Sequence, residues 1–149
     1  MFQGETAITI DDKGRLTIPT HLREQVAEAC GGRMVLTYSP FEAGVLYLYP
    51  VSIWERTRDQ VNTLSRMKSG NRLLQLKLVG SAAHLDIDAS SRLSLPASHR
   101  SAASLERRAV LVGNGEKFEL WSEQAHAQRM SQTLSDDDMD SEDLLGIQL

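Results

Sequence analysis

Two short stretches carry the residues best suited to touching another molecule. The first runs Asp11-Asp12-Lys13-Gly14-Arg15-Leu16-Thr17-Ile18-Pro19, and 77 residues later comes Asp88-Ala89-Ser90-Ser91-Arg92-Leu93-Ser94-Leu95-Pro96. Asp, Arg, Leu, an aliphatic residue and Pro occupy the same offsets in both, and Ile8 and Ile10 precede the first as Leu85 and Ile87 precede the second. The chemistry resides in the two arginines. A guanidinium stays charged at neutral pH and offers five N–H donors in a planar fork, a shape matched to carboxylates, phosphates and base edges. An internal repeat is usually one supersecondary unit. Two copies are too few for a solenoid, so they predict one barrel-like body or two related halves.

The elements around the first copy follow from its pattern. Ile8 and Ile10 alternate with Thr9 and Asp11, as Leu16 and Ile18 do with Arg15 and Thr17, the period of half-buried strands. Asp11 to Gly14 supply an Asp that can bond nearby backbone and a Gly that tolerates positive φ, so the unit reads as a β-hairpin or a tight strand-turn-strand. Pro19 ends the second strand and opens a helix over Thr20 to Cys30, with Leu22, Val26 and Cys30 on one face. With Leu16 and Ile18 inside, Lys13, Arg15 and Thr17 point outward together, as do Ser90, Arg92 and Ser94 in the second copy. Strands wear polar residues outside as a matter of course. An Arg repeated in the same phase favours a functional face.

Further along, Arg33 to Tyr38 and Val45 to Tyr49 read as strands joined by a turn-rich stretch. Pro50 stops the second strand, Ser52 can cap the next helix, and Trp54 is a packing anchor. Residues 71–79 fit both strand alternation (Leu74, Leu76, Leu78) and helical spacing (Leu73, Leu76, Gly80). The shortage of β-branched residues favours a helix, expected to pack between the halves. The second half repeats the plan with a poorer helix at Ser98 to Ser101. A hairpin of Ala109 to Val112 with Lys117 to Trp121 follows, then a Ser122-capped helix to about Leu134, with His126, Met130 and Leu134 on one side.

Composition bounds the function classes. Net charge is −4, yet residues 1–134 hold all 16 Lys and Arg against 14 of the 20 acids, a net of +2. The other six acids lie within Ser135 to Asp143, an acidic run expected to be solvated or to compete for a basic face. The apolar end, Leu144 to Leu149, reads either as disordered or as docking on a neighbouring subunit. No stretch approaches a membrane span, and no basic-then-apolar leader opens the chain, so a soluble cytoplasmic protein is expected. Cys30 is a lone small core residue, and His21, His84, His99 and His126 show no ligand spacing, so neither a metal nor a cofactor is expected. Gly113 to Lys117 lack the Walker pattern, no Gly-x-Ser-x-Gly elbow exists, and Asp11, Asp12, Asp86 and Asp88 are better explained by Asx-type backbone bonding than as paired catalytic carboxylates. No catalytic residue is assigned.

The motif D-x-x-G-R-x-x-[IL]-P after an alternating strand resembles the swapped-hairpin DNA-binding fold of the AbrB and SpoVT type. Two copies in a chain of this length, opened by Met1-Phe2-Gln3-Gly4-Glu5, are similar to the MraZ family of bacterial transcriptional regulators. Leu46-Tyr47-Leu48-Tyr49-Pro50 and Phe118-Glu119-Leu120-Trp121-Ser122 fit that family too, and the resemblance covers residues 1 to about 130. It implies an α+β fold, a duplicated swapped-hairpin β-barrel with pseudo-two-fold halves and short flanking helices. The expected divisions are repeats at residues 5–52 and 81–124, a helical linker at 53–80, and a C-terminal helix with acidic tail at 125–149.

The resemblance further implies a ring-like homo-oligomer on double-stranded DNA, at short repeats upstream of its own gene in the cell-division and cell-wall operon, hence a cytoplasmic, nucleoid-associated protein. Arg15 would then read a base, with Lys13, Thr17 and Arg23 on phosphates. Ser91 departs from the motif's Gly. If that turn needs positive φ, the Ser costs ~1–2 kcal/mol, and Arg92 takes either the base or a backbone contact. The rival reading is a swapped-hairpin scaffold binding another protein, antitoxin-like, through its acidic, apolar-ended tail.

Overall fold

In the computed structural model, which describes residues 1–149, strand β1 (Phe2–Thr9) does not fold back on β2 (Arg15–Thr17). The tight turn forms, with Asp11 N–H donating to the Arg15 carbonyl at 2.9 Å, but only the Ile10–Leu16 bridge joins the two sides. Of the two readings of the unit, the tight strand-turn-strand holds and the local hairpin does not. The long partner of β1 is β7 (Arg108–Gly115) from the second half, and β5 (Ala83–Asp86) of the second half pairs with β3 (Arg33–Tyr38) of the first. With β4 (Leu46–Pro50) and β8 (Lys117–Ser122), the sheet runs β1-β7-β8-β4-β3-β5, antiparallel at every junction.

That order reads the same from both ends once the halves are exchanged. The pseudo-two-fold axis passes between β8 and β4, where Tyr47 faces Glu119. The sheet is open and closes no barrel by hydrogen bonding. Instead, its outer strands β1 and β5 each lead into one strand of a separate two-stranded ribbon, β2 paired with β6 (Arg92–Ser94).

The two faces of the sheet are covered differently. Leu46 and Leu48 point into the main core, which also holds Leu16, Leu93, Ile18, Leu95, Met34, Leu36, Leu111, Phe118 and Leu120. Helix α1 (Thr20–Cys30) adds Leu22, Val26 and Cys30 to it, the face its spacing predicts. Tyr47 and Tyr49 point the other way, onto a second core with Val35, Trp54, Val61 and Leu78. Every residue of β4 is therefore buried, although alternation sends its side chains to opposite sides.

The second core is roofed by α2 (Val51–Asn62) and α3 (Ser69–Leu78). Trp54 is the expected anchor, 1% exposed. Ser52 does not cap α2: the cap position is Pro50, and the Ser52 hydroxyl donates to the Ala29 carbonyl. α3 is the helix that composition favours, but its buried residues are Gln75 and Leu78, while Leu73 and Leu76 face solvent rather than packing between the halves. Gln75 turns inward because its amide reaches the Val61 and Leu64 carbonyls at the frayed end of α2.

In the second half α4 (Ala97–Ala102) is short, and α5 (Glu123–Met130), capped by Ser122 as expected, ends four residues before Leu134. His126 Nε2 lies 3.0 Å from a Glu5 carboxylate oxygen, whereas Met130 and Leu134 are exposed. The tail holds only a capped turn, α6 (Asp136–Met139), and a 3-10 turn, Glu142–Leu144, with no buried residue.

Leu16 and Leu93 oppose each other at the centre of the ribbon and are both 0% exposed. Leu16→Ala or Leu93→Ala should cost ~2–5 kcal/mol in urea unfolding followed by tryptophan fluorescence. The double variant should fall short of the sum, since the pair shares one site. A loss under ~1 kcal/mol would mean that the ribbon does not depend on this core.

Candidate nucleic-acid interface

The ribbon's register assembles its outer face. Arg15 lies opposite Ser94 and Thr17 opposite Arg92, so Arg15 and Arg92 sit diagonally across one pair of strands, ~7–8 Å apart at the backbone. The two arginines, read in sequence as belonging to separate hairpins, belong to a single element. Thr17 and Ser94 complete the face, and both are exposed.

Each Arg is oriented by the Asp four residues before it. Asp11 Oδ1 accepts the backbone N–H groups of Lys13 and Arg15, and Oδ2 accepts Arg15 Nε at 2.8 Å. Asp88 does the same for Ser90, Arg92 and Arg92 Nε, the last at 2.9 Å. The Asx-type bonding expected from sequence is present at Asp11 and Asp88, whereas Asp12 and Asp86 accept no backbone N–H. The Arg pairing was missed, although its signal, D-x-x-x-R at the same offset in each copy, is in the sequence. The arginine side chains are 26% and 33% exposed, and neither terminal Nη pair has an acceptor within the protein. Held by Nε, each guanidinium presents its far edge outward.

The Arg15 N–H bond, then the Arg15 side chain and the Lys13 N–H, hold the Asp11 carboxyl below its ordinary range; Asp88 is lowered by the Arg92 N–H first, then by the Ser90 N–H and the Arg92 side chain. A carboxylate depressed on folding stabilises above the unfolded value of ~3.9, and that contribution disappears as pH falls through the lower folded value.

The loops behind the arginines differ. Gly14 has φ 79° and Ser91 φ 60°, so the turn needs the left-handed region in both copies and Ser91 carries the strain expected of it. The helix arginine of each half reaches across to the other half's loop. Arg100 packs on Gly14, where an added Cβ would stand 2.7 Å from the guanidinium carbon, and Arg100 Nε donates to the Leu95 carbonyl at 3.2 Å. Arg23, its counterpart in α1, donates to the Ile18 carbonyl at 3.0 Å and lines a small cleft with Ser91. Arg23 is thus near the ribbon's end, one Nε engaged, rather than on its outer face. Arg100 escaped the sequence reading because the helix around it lacks an apolar stripe; its offset of 77 from Arg23 is the signal that finds it. Lys13 is exposed at the turn beside Arg15. Among His, Cys, Asp and Glu, no three come together to hold a metal ion.

Fold and site together define a duplicated α+β protein in which exchanged strands build one arginine-bearing ribbon. The family model described as "MraZ protein, putative antitoxin-like" matches residues 1–77 and again 78–145. A transcriptional regulator MraZ of Stenotrophomonas maltophilia is 60% identical over 139 residues, 93% of this chain and 94% of the relative. That of Xanthomonas campestris pv. campestris is 58% identical over the whole of both chains, and that of Marinobacter nauticus 43% identical over 95% of this chain and 94% of its own. The chain belongs to the MraZ family of transcriptional regulators.

Two outcomes follow from the loops. Ser91→Gly should gain up to ~1 kcal/mol in urea unfolding, the relieved left-handed penalty of ~1–2 kcal/mol less the unfolded-chain entropy of Gly. Gly14→Ser should lose at least ~1–2 kcal/mol, adding displacement of Arg100 to the same penalty. Equal effects at both positions would refute the difference between the loops. Below about pH 4, the stability of wild type should fall more steeply than that of the Asp11→Asn/Asp88→Asn variant, measured as urea midpoint against pH; parallel profiles would show that these carboxylates are not depressed.

Proposed function

We propose that the chain is a sequence-specific DNA-binding regulator, acting as a ring-like oligomer on repeated boxes upstream of its own gene in the cell-division and cell-wall operon. On this reading it works in the cytoplasm at the nucleoid; no helix is long and apolar enough to cross a membrane. The supporting observation is the pair of outward guanidinium edges on one two-stranded ribbon, each fixed by an Asp and each left without an internal acceptor.

A two-stranded ribbon fits the major groove of B-DNA, and an Arg fork matches O6 and N7 of guanine. Arg15 takes that contact. Arg92 takes a second contact from the same face, to base or backbone. Lys13, Thr17 and Arg23 set register on phosphates without reading sequence. The folded body is only weakly positive, so one ribbon is a weak reader and several joined copies supply the affinity through effective concentration. Boxes spaced about one helical turn, ~10 bp, bring successive ribbons to one side of the duplex.

The test is a gel shift on the DNA upstream of the protein's own gene across a series of salt concentrations. Arg15→Ala should weaken specific binding by ~1–3 kcal/mol per ribbon, roughly 5- to 150-fold, and Arg15→Lys should not restore it, lacking the planar fork. Lys13→Ala should weaken all sequences alike and reduce the salt slope by about one per site. Wild-type affinity in both Arg15→Ala and Arg92→Ala would overturn the assignment in favour of a scaffold, whose partner binding ignores these arginines.

A further inference from the structure

The exposed face of α3 and the loop before it form a surface that the ribbon does not use. Residues 63–80 carry Arg66, Lys68, Arg72 and Lys77 and no acid, and none of the four is paired with a carboxylate. Among them stand three apolar side chains in solvent: Met67 at 88% exposed, Leu73 at 52% and Leu76 at 68%. Arg72, Leu73 and Leu76 share one side of the helix by their spacing. Arg72 is held there, donating through Nη1 to the Arg66 and Met67 carbonyls at 2.9 and 3.1 Å. Beside them lies a groove of about 470 Å³, lined by Arg66, Arg72, Gln75, Leu76, Val79 and Gly80.

The chain's own C-terminus has the complementary composition. Residues 135–149 hold six acids and no base, followed by Leu144, Leu145, Ile147 and Leu149. Leu145, Ile147 and Leu149 are exposed, and none of the six acids has a cationic partner. Within one chain, therefore, the tail leaves α3 uncovered and α3 leaves the tail uncovered. A phosphate backbone would satisfy the cations but not Leu73, Leu76 and Met67; an acidic segment with an apolar end satisfies both.

We propose that the tail of one copy, residues 135–149, docks on the α3 face of a second copy, Leu145 and Ile147 covering Leu73 and Leu76 while the acids face Arg66, Lys68, Arg72 and Lys77. Tail and receptor lie on different parts of the chain, so the contact is heterologous and repeats head to tail, the kind that closes into a ring when its rotation allows. The proposal rests on the oligomeric part of the reading above and supplies the joint between neighbours.

The test uses full-length chains and no DNA. Two variants alter only exposed positions: Leu73→Glu/Leu76→Glu breaks the receptor, and Leu145→Ser/Ile147→Ser/Leu149→Ser breaks the tail. Circular dichroism melting should show both folded as wild type. Light scattering over a concentration series should give the wild type as a multimer, and each variant should need at least a tenfold higher concentration to associate. Mixing them should restore pairs, because the first variant's tail meets the second's intact α3. Raised salt should loosen the wild-type assembly, whereas Arg15→Ala should leave its mass unchanged, separating a failure here from a failure of DNA reading. Wild-type mass in both variants would overturn the proposal, and so would lowered mass with no recovery on mixing, the outcome expected if the tail folds onto its own α3.

Discussion

The contact between Leu16 and Leu93 is the constraint on which the rest depends. Each sits in the middle of a three-residue strand, too short to be stable alone. What holds the strands together is burial of this pair against the main core from below. The period of two then leaves no choice for the neighbours: with Leu16 and Leu93 inward, Arg15, Thr17, Arg92 and Ser94 must face out. A slip of one residue in either strand would bury its arginine and expose its leucine. The outer face is thus fixed by the inner one, and the two Asp residues refine only the angle at which each guanidinium leaves it.

The ribbon also explains why the strands are exchanged. β2 and β6 can meet only if each half delivers its strand to the same place, and the long pairings of β1 with β7 and β5 with β3 carry them there. Neither half can complete its own part of the sheet. Strand exchange between linked halves gives the single chain the form of a dimer with its internal partner always present, so forming the ribbon does not depend on protein concentration.

Much of this was legible in the sequence, for reasons that particular residues make plain. Whereas the positive φ at Ser91 was only a condition set by the motif's Gly at that place, the repeat, the inward phase of Leu16 and Leu93, α1 and its face and the Trp54 anchor all follow from local rules of period and proline placement. The partner of β1 did not, because alternation says that a strand has a buried face and nothing about which strand lies beside it. Nor did the orientation of α3: its leucines occur on both sides, and Gln75 turns inward to donate to the Val61 and Leu64 carbonyls at the end of α2. Ser52 failed as a cap because Pro50 already sets the entry to its helix, leaving the hydroxyl free to reach Ala29. The outward phase of Arg15, Thr17 and Arg92 was readable, but the sharing of one ribbon by both arginines was not, being a property of the exchange.

Duplication also frees the two halves to differ, and the differences fall where a symmetric dimer could have none. Gly14 allows Arg100 to lie flat on its loop, whereas the Cβ of Ser91 stands in the corresponding place and Arg23 is the more exposed of the two helix arginines. The first turn carries Lys13 and the second Ser90, so the positive charge beside the ribbon lies at one end. α2 is followed by a second helix, α3, whereas α5 is followed by the acidic tail. A homodimer of identical hairpins would present the same group at both ends and favour a palindrome in any nucleic acid that it read. A fused pair with unequal loops has a direction, which a symmetric pair lacks. Polarity on the ribbon descends from the joining of two copies that were then no longer obliged to stay alike.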